Sequence, residues 1–318
     1  MQSNSTTHGT PDTATTPILH LSGPRATITL NRPRQHNRIE PADVAALKSM
    51  FDQIEGDDGV RVLVITGASP TFSSGYDIGS LAAGSGTSTA VGGDEFGSLC
   101  DRLEDLRVPT ICALNGSVYG GATDFALACD LRIGAEGIRM VMPASRLGIH
   151  YYYGGLRRYV ERTGLGAAKH LFLTGEPIDA QAMLRVGFLN EVVPLDRLKA
   201  RVDELATVLA NGAPLSVQGM KASLNDIARG TADASAVQAR FGGSLRSTDV
   251  AEGLAAWTER RQPRFAGRKP AWLLLGSGVV PDLSRNQACD ERAEQGFAAA
   301  SRVVHELKEA EIKGQLVL

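Results

Sequence analysis

Two glycine-containing loops constrain the fold of this chain more than any other feature of its sequence. The first, residues 72–77 (FSSGYD), follows the apolar run RVLVIT, and the second, around Gly120-Gly121, follows the apolar run TICAL. A helical pattern starts directly after the second loop. Repetition of strand, loop and helix with short connections indicates α/β layering rather than a helical bundle. Glycine lets each loop bring its backbone close to another group, and the first turn of a helix leaves N–H groups without partners.

The spacing of apolar residues predicts further strands and helices along the chain. It predicts strands at residues 18–21, 26–30, 61–66, 110–114 and 131–134. It predicts helices that begin at Pro41, near residues 95–106 and near residues 122–128, and then at residues 197–211, 215–227 and 250–261. The expected architecture is an α/β core with a helical segment after it.

The composition excludes several classes of protein. Hydrophobic residues make up 43% of the chain and charged residues 21%, and the net charge of −2 gives no reason to expect a nucleic acid partner. No apolar run reaches the roughly 20 residues of a membrane-spanning helix. The N-terminus lacks the apolar region of a secretory signal, and the four cysteines show no disulfide or metal-ligand spacing. We therefore expect a cytoplasmic protein without a bound metal or a membrane partner.

The chain is expected to contain four segments. Residues 1–16 form a disordered arm, residues 17–195 the α/β core, residues 196–269 the helical segment, and residues 270–318 an appended tail with a helix at 286–313. Within the core, residues 79–93 (GSLAAGSGTSTAVGG) have few bulky side chains and are expected to form a mobile loop.

Several motifs together resemble the crotonase (enoyl-CoA hydratase/isomerase) family over roughly residues 18–269. Three match family signatures in order and spacing: ITLNRP, VLVITGASPTFSSGYDI and NGSVYGGATDFALACDLRI. The match is extended by MPASRLGI, LTGEPIDAQAMLRVGFLNEVVP and EGLAAWTERRQPRF. The resemblance implies a crotonase-like spiral of β-β-α repeats, an acyl-CoA substrate and no separate cofactor. It also implies a homotrimer or a dimer of trimers, with residues 196–269 as the trimerisation segment.

The same resemblance assigns two backbone groups to an oxyanion hole. The residue after the glycine of FSSGYD is Tyr76, and the second glycine of the GG pair is Gly121. Their N–H groups would hold the thioester carbonyl and stabilise an enolate more strongly than the ground state. Taken singly, each loop is also compatible with a plain tight turn.

Contacts to CoA are implied at five positions: Arg32, Arg34, Ser74, Gly75 and Trp257. Arg32 and Arg34 lie in the family's CoA-binding loop, where an arginine fits a phosphate, although solvated surface charges explain them equally well. Trp257 lies on a helix that approaches the adenine of CoA in this family, and ordinary packing explains it as well.

The acid–base residues depart from the family pattern. A hydratase of this family uses two glutamates that share one water. The first corresponds to Asp124, and the second corresponds to Ala144, which cannot transfer a proton. Substitutes for it are His150, as a base near neutral pH, and Tyr151, as a group that orients or protonates the substrate. The stretch LGIHY also resembles the family's methylmalonyl-CoA decarboxylases, in which the tyrosine orients the departing carboxylate.

Four functions stay open at this point. The first is an enoyl-CoA hydratase-like lyase, in which Asp124 is assisted by His150 or Tyr151. The second is a decarboxylase of a malonyl-type CoA thioester, in which loss of CO₂ generates the enolate and no strong base is needed. The others are a C–C or thioester hydrolase with His150 activating water, and a CoA-binding protein without catalytic activity.

Overall fold

The computed structural model describes residues 16–68, 70–77, 79 and 91–267, without the side chains of residues 91–94. The predicted N-terminal arm, most of the predicted loop at 79–93 and the appended C-terminal tail with its helix lie outside these residues.

Two sheets form the centre of the α/β core. The strands of the larger sheet are, in spatial order, β1 (Ile18–Ser22), β2 (Arg25–Leu30), β3 (Val62–Gly67), β5 (Thr110–Leu114), β7 (Leu131–Ala135) and β10 (Glu191–Val193). The strands of the smaller sheet are β4 (Thr71–Ser73), β6 (Ser117–Tyr119), β8 (Arg139–Val141) and β9 (Ile178–Asp179). Among these described strands, β1–β2 and β8–β9 pair antiparallel, and the remaining neighbours are parallel.

The described helices follow the strands in chain order. They are α1 (Pro41–Gly56), α2 (Val91–Glu104), α3 (Gly121–Leu127), α4 (Tyr153–Thr174), α5 (Ala180–Arg185), α6 (Leu195–Asn211), α7 (Pro214–Ala228), α8 (Ala234–Leu245) and α9 (Thr248–Glu259). α4 is interrupted at Gly164, whose φ of 78° and ψ of 157° are not helical.

α2 begins inside the stretch that the sequence predicted to be a loop. The helix starts at Val91 although two glycines follow that residue. Its later apolar side chains, Phe96, Leu99 and Leu103, are buried in the core. Because burial of an apolar face stabilises a helix more than the propensity of two glycines destabilises it, the helix extends further than local composition indicated.

Successive strands alternate between the two sheets, and this alternation produces a spiral of β-β-α repeats. β3, β5 and β7 enter the larger sheet, and each is followed by a strand of the smaller sheet. The predicted fold class is therefore confirmed. β4 and β6 are parallel neighbours, so the chain leaves both at the same edge of the smaller sheet. The two glycine loops that follow these strands consequently lie side by side.

Burial explains why the predicted elements form. Residues 62–65 of β3 are four consecutive apolar residues, all buried, as expected for a parallel strand covered on both faces. α1 buries Val44, Leu47, Phe51 and Ile54, which recur on one face at helical spacing.

The chain divides into two compact units. The first comprises residues up to Ala210 together with Leu224–Thr231, and it contains both sheets. The second comprises Asn211–Ser223 and residues from Ala232 onward, and its described part contains α8 and α9. No helix in the described ranges is long and apolar enough to cross a membrane.

Candidate active site

The two glycine loops meet at Gly75. Its φ of +95° is a conformation that residues with side chains rarely adopt. A Cβ atom at this position would lie 2.6 Å from the carbonyl oxygen of Tyr119 and 3.0 Å from the backbone nitrogen of Gly121. Glycine is therefore required both for the conformation of the turn and for the close approach of the loops. This approach brings Tyr76 next to Gly121.

The N–H groups of Tyr76 and Gly121 have no acceptor within the part of the chain that the structure describes. The residues beside Tyr76 pair with Ile39: the Ile39 N–H donates to the Gly75 oxygen and the Asp77 N–H donates to the Ile39 oxygen, each at 2.9 Å. In such a parallel bridge the N–H of the middle residue points away from the partner segment. Gly121 is the first residue of α3, so its N–H has no acceptor in a preceding turn.

Aromatic rings pack beside these two donors. The ring of Phe96 lies 5.1 Å from that of Tyr76 and 6.4 Å, edge-on, from that of Tyr152, measured between centroids. Tyr152 stacks on Tyr151 at 4.4 Å, and Tyr151 packs against Phe172 at 5.2 Å. A continuous set of rings thus connects the first donor loop with the start of α4.

Asp124 is fully buried, and both of its carboxylate oxygens accept hydrogen bonds. Arg158 donates through Nε to Oδ1 at 2.8 Å and through Nη2 to Oδ2 at 2.7 Å. The hydroxyl of Tyr152 donates to the same Oδ2. Arg158 is also fully buried, so the two charges compensate each other away from water. Asp124 is therefore half of a buried ion pair, and its predicted role in proton transfer stays a prediction.

A second buried carboxylate, Glu104, connects Arg158 with three further arginines. Its oxygens lie 3.3 Å from Arg158, 3.0 Å from Arg162 and 2.7 Å from Arg229, and Arg157 donates to it as well. Burial alone would raise the pKa of Glu104, but the hydrogen bond from Arg157 and the charge of Arg158 outweigh burial and lower the pKa to about 2. Arg158 thus lies between the carboxylates of Asp124 and Glu104.

The phenols of Tyr151 and Tyr152 stay protonated at neutral pH. Burial raises the pKa of both well above the usual value, and the charge of Asp124 raises it further. The Cys100 thiol, 3.7 Å from the Tyr152 hydroxyl, also stays protonated because burial raises its pKa. The Tyr151 hydroxyl lies 3.5 Å from that of Tyr152, which is the phenol bonded to Asp124.

Two further positions of the acid–base assignment are Ala144 and His150. Ala144, which the resemblance matches to the family's second glutamate, is buried at the start of the 3₁₀ turn Ala144–Leu147 and has only a methyl group as its side chain. His150 is exposed, and its side chain makes no hydrogen bond or ion pair with any described residue. The structure therefore connects Tyr151 with Asp124 through Tyr152 and leaves His150 at the surface.

The predicted CoA contacts lie in different environments, and their roles stay predictions. Arg32 forms ion pairs with Asp43 at 2.7 Å and Glu40 at 3.1 Å, so its charge is already compensated. The other four positions are the exposed Arg34 and Ser74, the turn residue Gly75 and, in the second unit, the half-exposed Trp257.

A cavity of about 500 Å³ lies beside the tyrosines in the first unit. Gly97, Ser98 and Asp101 of α2 and Tyr152 and Gly154 at the start of α4 contribute to its lining. Across the described ranges, no group of three or more His, Cys, Asp or Glu side chains could hold a metal ion.

Strands that alternate between two sheets, with two glycine loops side by side, are typical of the crotonase fold. The chain belongs to the enoyl-CoA hydratase/isomerase family, since the sequence model of that family matches residues 25–268.

Named relatives agree with this membership. The short-chain-enoyl-CoA hydratase of Clostridium acetobutylicum is 31% identical over 255 residues, which are 77% of this chain and 95% of that protein. The carnitinyl-CoA dehydratase of Proteus mirabilis is 33% identical over 263 residues, which are 79% of this chain and 98% of that protein. The crystal structure of an enoyl-CoA hydratase from Bacillus anthracis superposes with a TM-score of 0.75 at 29% identity, over 79% of this chain and 99% of that one.

Arg158 is the residue of this site that sequence reasoning missed. In α4, Gly155, Arg158 and Tyr159 are buried, and their spacing of three and four residues places them on one helical face. An arginine on the buried face of a helix needs hydrogen-bond acceptors, often a carboxylate. The helical spacing therefore signals that Arg158 has a partner, but it does not identify which carboxylate that partner is.

Proposed function

We propose that this protein is an acyl-CoA lyase that binds a thioester carbonyl between the N–H groups of Tyr76 and Gly121 and stabilises an enolate. The observation that carries the proposal is the contact between the two loops at Gly75, which leaves both N–H groups without an acceptor in the described structure. Negative charge grows on the carbonyl oxygen as the enolate forms. Two fixed donors bind this charge more strongly in the transition state than in the ground state.

Reversible addition of water to a 2-enoyl-CoA is the first candidate reaction. The water oxygen bonds to the β-carbon and the water loses a proton, while the Cα=Cβ electron pair forms the enolate double bond and the carbonyl π pair moves to the thioester oxygen. The α-carbon then receives a proton, and the thioester carbonyl forms again. Two relatives that each match more than three quarters of this chain are named for hydration and dehydration, which supports this reaction. Asp124 is the carboxylate available for it, while the exposure of His150 gives that residue no support.

Decarboxylation of a malonyl-type CoA thioester is the second candidate, and one specific observation favours it. Ala144 cannot accept a proton, and Asp124 is held on both oxygens by Arg158 and Tyr152. In a decarboxylation the bond to the leaving carboxylate breaks and its electron pair forms the enolate directly. This reaction therefore needs no free carboxylate base.

Two substrate assays separate these candidates. Loss of the conjugated thioester absorbance of crotonyl-CoA supports hydration, and CO₂ release from malonyl-CoA or methylmalonyl-CoA supports decarboxylation. Release of free CoA from either substrate would instead support a thioester hydrolase. Binding of CoA without turnover of any of these substrates at high enzyme concentration would contradict the lyase proposal.

The oxyanion hole is tested by removing one N–H group at a time. Gly121→Pro deletes the donor at the first position of a helix, where proline is tolerated. Gly121→Ala is the matched control, because it adds the same Cβ atom, 3.0 Å from the Phe96 ring, but keeps the N–H. We expect kcat of Gly121→Pro to be about 10²–10³-fold below that of Gly121→Ala. Equal kcat values for the two variants would contradict the assignment.

Assembly and location belong to the same proposal: a cytoplasmic homotrimer or dimer of trimers that needs no added cofactor. Leu224 and Ile227 lie three residues apart on the part of α7 that belongs to the first unit, and each is more than half exposed. An apolar helical face of this kind supports self-association. Light scattering after size-exclusion chromatography measures the mass, and a monomer at micromolar concentration would contradict the proposed assembly.

A further inference from the structure

We propose that Tyr152 is the catalytic side chain that passes protons between the substrate and Asp124, and that Arg158 fixes this carboxylate for the purpose. This inference rests on the proposed enolate chemistry and extends it to a residue that the motif comparison did not select. That comparison pointed to Tyr151, the neighbouring phenol.

The Tyr152 ring packs closely against two glycines and against Tyr151, which stacks on it at 4.4 Å between centroids. A Cβ atom at Gly97 would lie 3.1 Å from its Cδ2 atom, and a Cβ atom at Gly155 would lie 3.1 Å from its Cε2 atom. A larger residue at either glycine would therefore crowd this edge of the ring. In this position the Tyr152 hydroxyl donates to Oδ2 of Asp124.

Tyr152 differs from Tyr151 in its relation to the cavity. Tyr152 is one of the residues that line the 500 Å³ cavity, whereas Tyr151 does not line that cavity and packs between Tyr152 and Phe172. On its other side, Tyr152 contacts Phe96, whose ring would lie 3.0 Å from a Cβ atom at Gly121. Tyr152 thus contacts the buried carboxylate, lines the cavity and packs against the ring that lies next to Gly121.

The charges around Asp124 suit a relay through a neutral phenol. Arg158 bonds to both carboxylate oxygens, so Asp124 is oriented with Oδ2 towards Tyr152. Asp124 is fully buried, and Tyr152 both bonds to its Oδ2 and lines the cavity, so the proposed proton path to Asp124 runs through this phenol. The high pKa of this phenol means that it is neutral before and after each transfer.

The relay balances for hydration. As water attacks the β-carbon, its proton moves to the Tyr152 oxygen while the phenol proton moves to Oδ2 of Asp124. The electron pair of the Cα=Cβ bond forms the double bond of the enolate, and the carbonyl π pair moves to the thioester oxygen. In the second half, Asp124 returns the proton to Tyr152, whose own proton is added to the α-carbon. Water is the only reactant consumed besides the enoyl thioester, and the enzyme returns to its starting state.

The test compares three tyrosine-to-phenylalanine variants, assayed with crotonyl-CoA, malonyl-CoA and methylmalonyl-CoA. Tyr152→Phe removes the relay, and we expect kcat to fall by about 10²–10⁴-fold with little change in KM. Tyr151→Phe is expected to lower kcat by less than about tenfold, because its ring packs behind Tyr152. Tyr159→Phe is the matched control: it also removes a buried hydroxyl, one that bonds to Thr123 at 2.5 Å, and its kcat should stay within about threefold of the parent.

The outcomes separate this inference from the proposed function. If the parent protein turns over none of these substrates, both fail. If the parent is active and Tyr152→Phe retains its kcat, or if Tyr151→Phe loses more than Tyr152→Phe, the relay is overturned and the enolate chemistry stands. Thermal denaturation separates a catalytic role from a merely structural one. If Tyr152 is only structural, Tyr152→Phe and Tyr159→Phe should show the same ratio of lost kcat to lost stability, and that result would overturn the relay. A solvent deuterium isotope effect on kcat that disappears in Tyr152→Phe supports the relay.

Discussion

Replacing Arg158 with methionine tests whether the site depends on its buried ion pair. The substitution keeps an unbranched apolar side chain but removes both hydrogen bonds to Asp124, at 2.8 and 2.7 Å. Asp124 is fully buried, so its charge would lose compensation without gaining water. Removing one partner of a buried pair destabilises proteins by about 3–5 kcal/mol. Glu104 adds little to this loss, because three other arginines still contact it.

Equilibrium urea denaturation, followed by far-ultraviolet circular dichroism at one fixed protein concentration, measures this loss. With a slope of about 3 kcal/mol per molar urea, the expected change lowers the midpoint by about 1 M or more. Asp101→Asn is the matched control, since Asp101 also bonds to Arg158, at 2.6 Å, but its side chain is 53% exposed. Water screens that pair, and its loss should cost less than about 1 kcal/mol.

The double variant Arg158→Met with Asp124→Leu completes the test. An apolar pair in place of a buried ion pair is often close to neutral for stability. We therefore expect the double variant to regain at least half of the stability lost in Arg158→Met. A midpoint for Arg158→Met equal to that of Asp101→Asn, or losses that simply add in the double variant, would refute the reasoning.

The lowered pKa of Glu104 and the close contacts of Gly75 and Gly155 lead to three further predictions. Because the pKa of Glu104 is lowered from 4.5 to about 2, its ionised form contributes about 3 kcal/mol of stability above pH 4.5 and loses it as the pH falls towards 2. The difference in unfolding free energy between parent and Glu104→Gln should shrink over this range, and a constant difference would speak against it. Gly75→Ala should lower kcat at least 100-fold, because the added Cβ atom would clash with the second loop. Gly137→Ala is the control: Gly137 has a φ of +77° and a Cβ atom there would have no atom within 4 Å, so this variant should lose only about 1–2 kcal/mol of stability and keep its kcat. Equal losses of kcat in both variants would argue for backbone strain alone. Gly155→Ala would place a Cβ atom 2.3 Å from the Tyr151 ring and should destabilise the protein by about 1–3 kcal/mol in urea denaturation, whereas an unchanged midpoint would contradict the ring placement.

Long apolar elements were predictable from the sequence, and short ones were not. β5 lies at the predicted residues 110–114, and α1 begins at Pro41 as predicted. The smaller sheet was missed because its strands have only two or three residues, too few for an alternating pattern to stand out. α4 was missed for a different reason: glycines within it lower its helical propensity, and packing of one face against the core compensates for them.

The close approach of the two glycine loops was predictable because glycine itself signals unusual backbone geometry. Gly75 has the positive φ that such a residue permits, and its neighbour Tyr76 lies beside Gly121. The Asp124–Arg158 pair was not predictable from local patterns, because 34 positions separate its members and only the folded chain brings them together. Membership of the family gave the position of Asp124 and left its partner unidentified.

The backbone bridge between Ile39 and Tyr76 lets the N–H group and the side chain of Tyr76 act independently. Backbone pairing on either side of Tyr76 fixes the direction of its N–H, whatever side chain the residue carries. The side chain itself packs against Phe96. In the proposed oxyanion hole, charge stabilisation therefore comes from the main chain of Tyr76, and the side chain affects only the shape of its surroundings. Substitutions at position 76 are therefore expected to alter which acyl groups fit, while the chemistry of the thioester carbonyl stays the same.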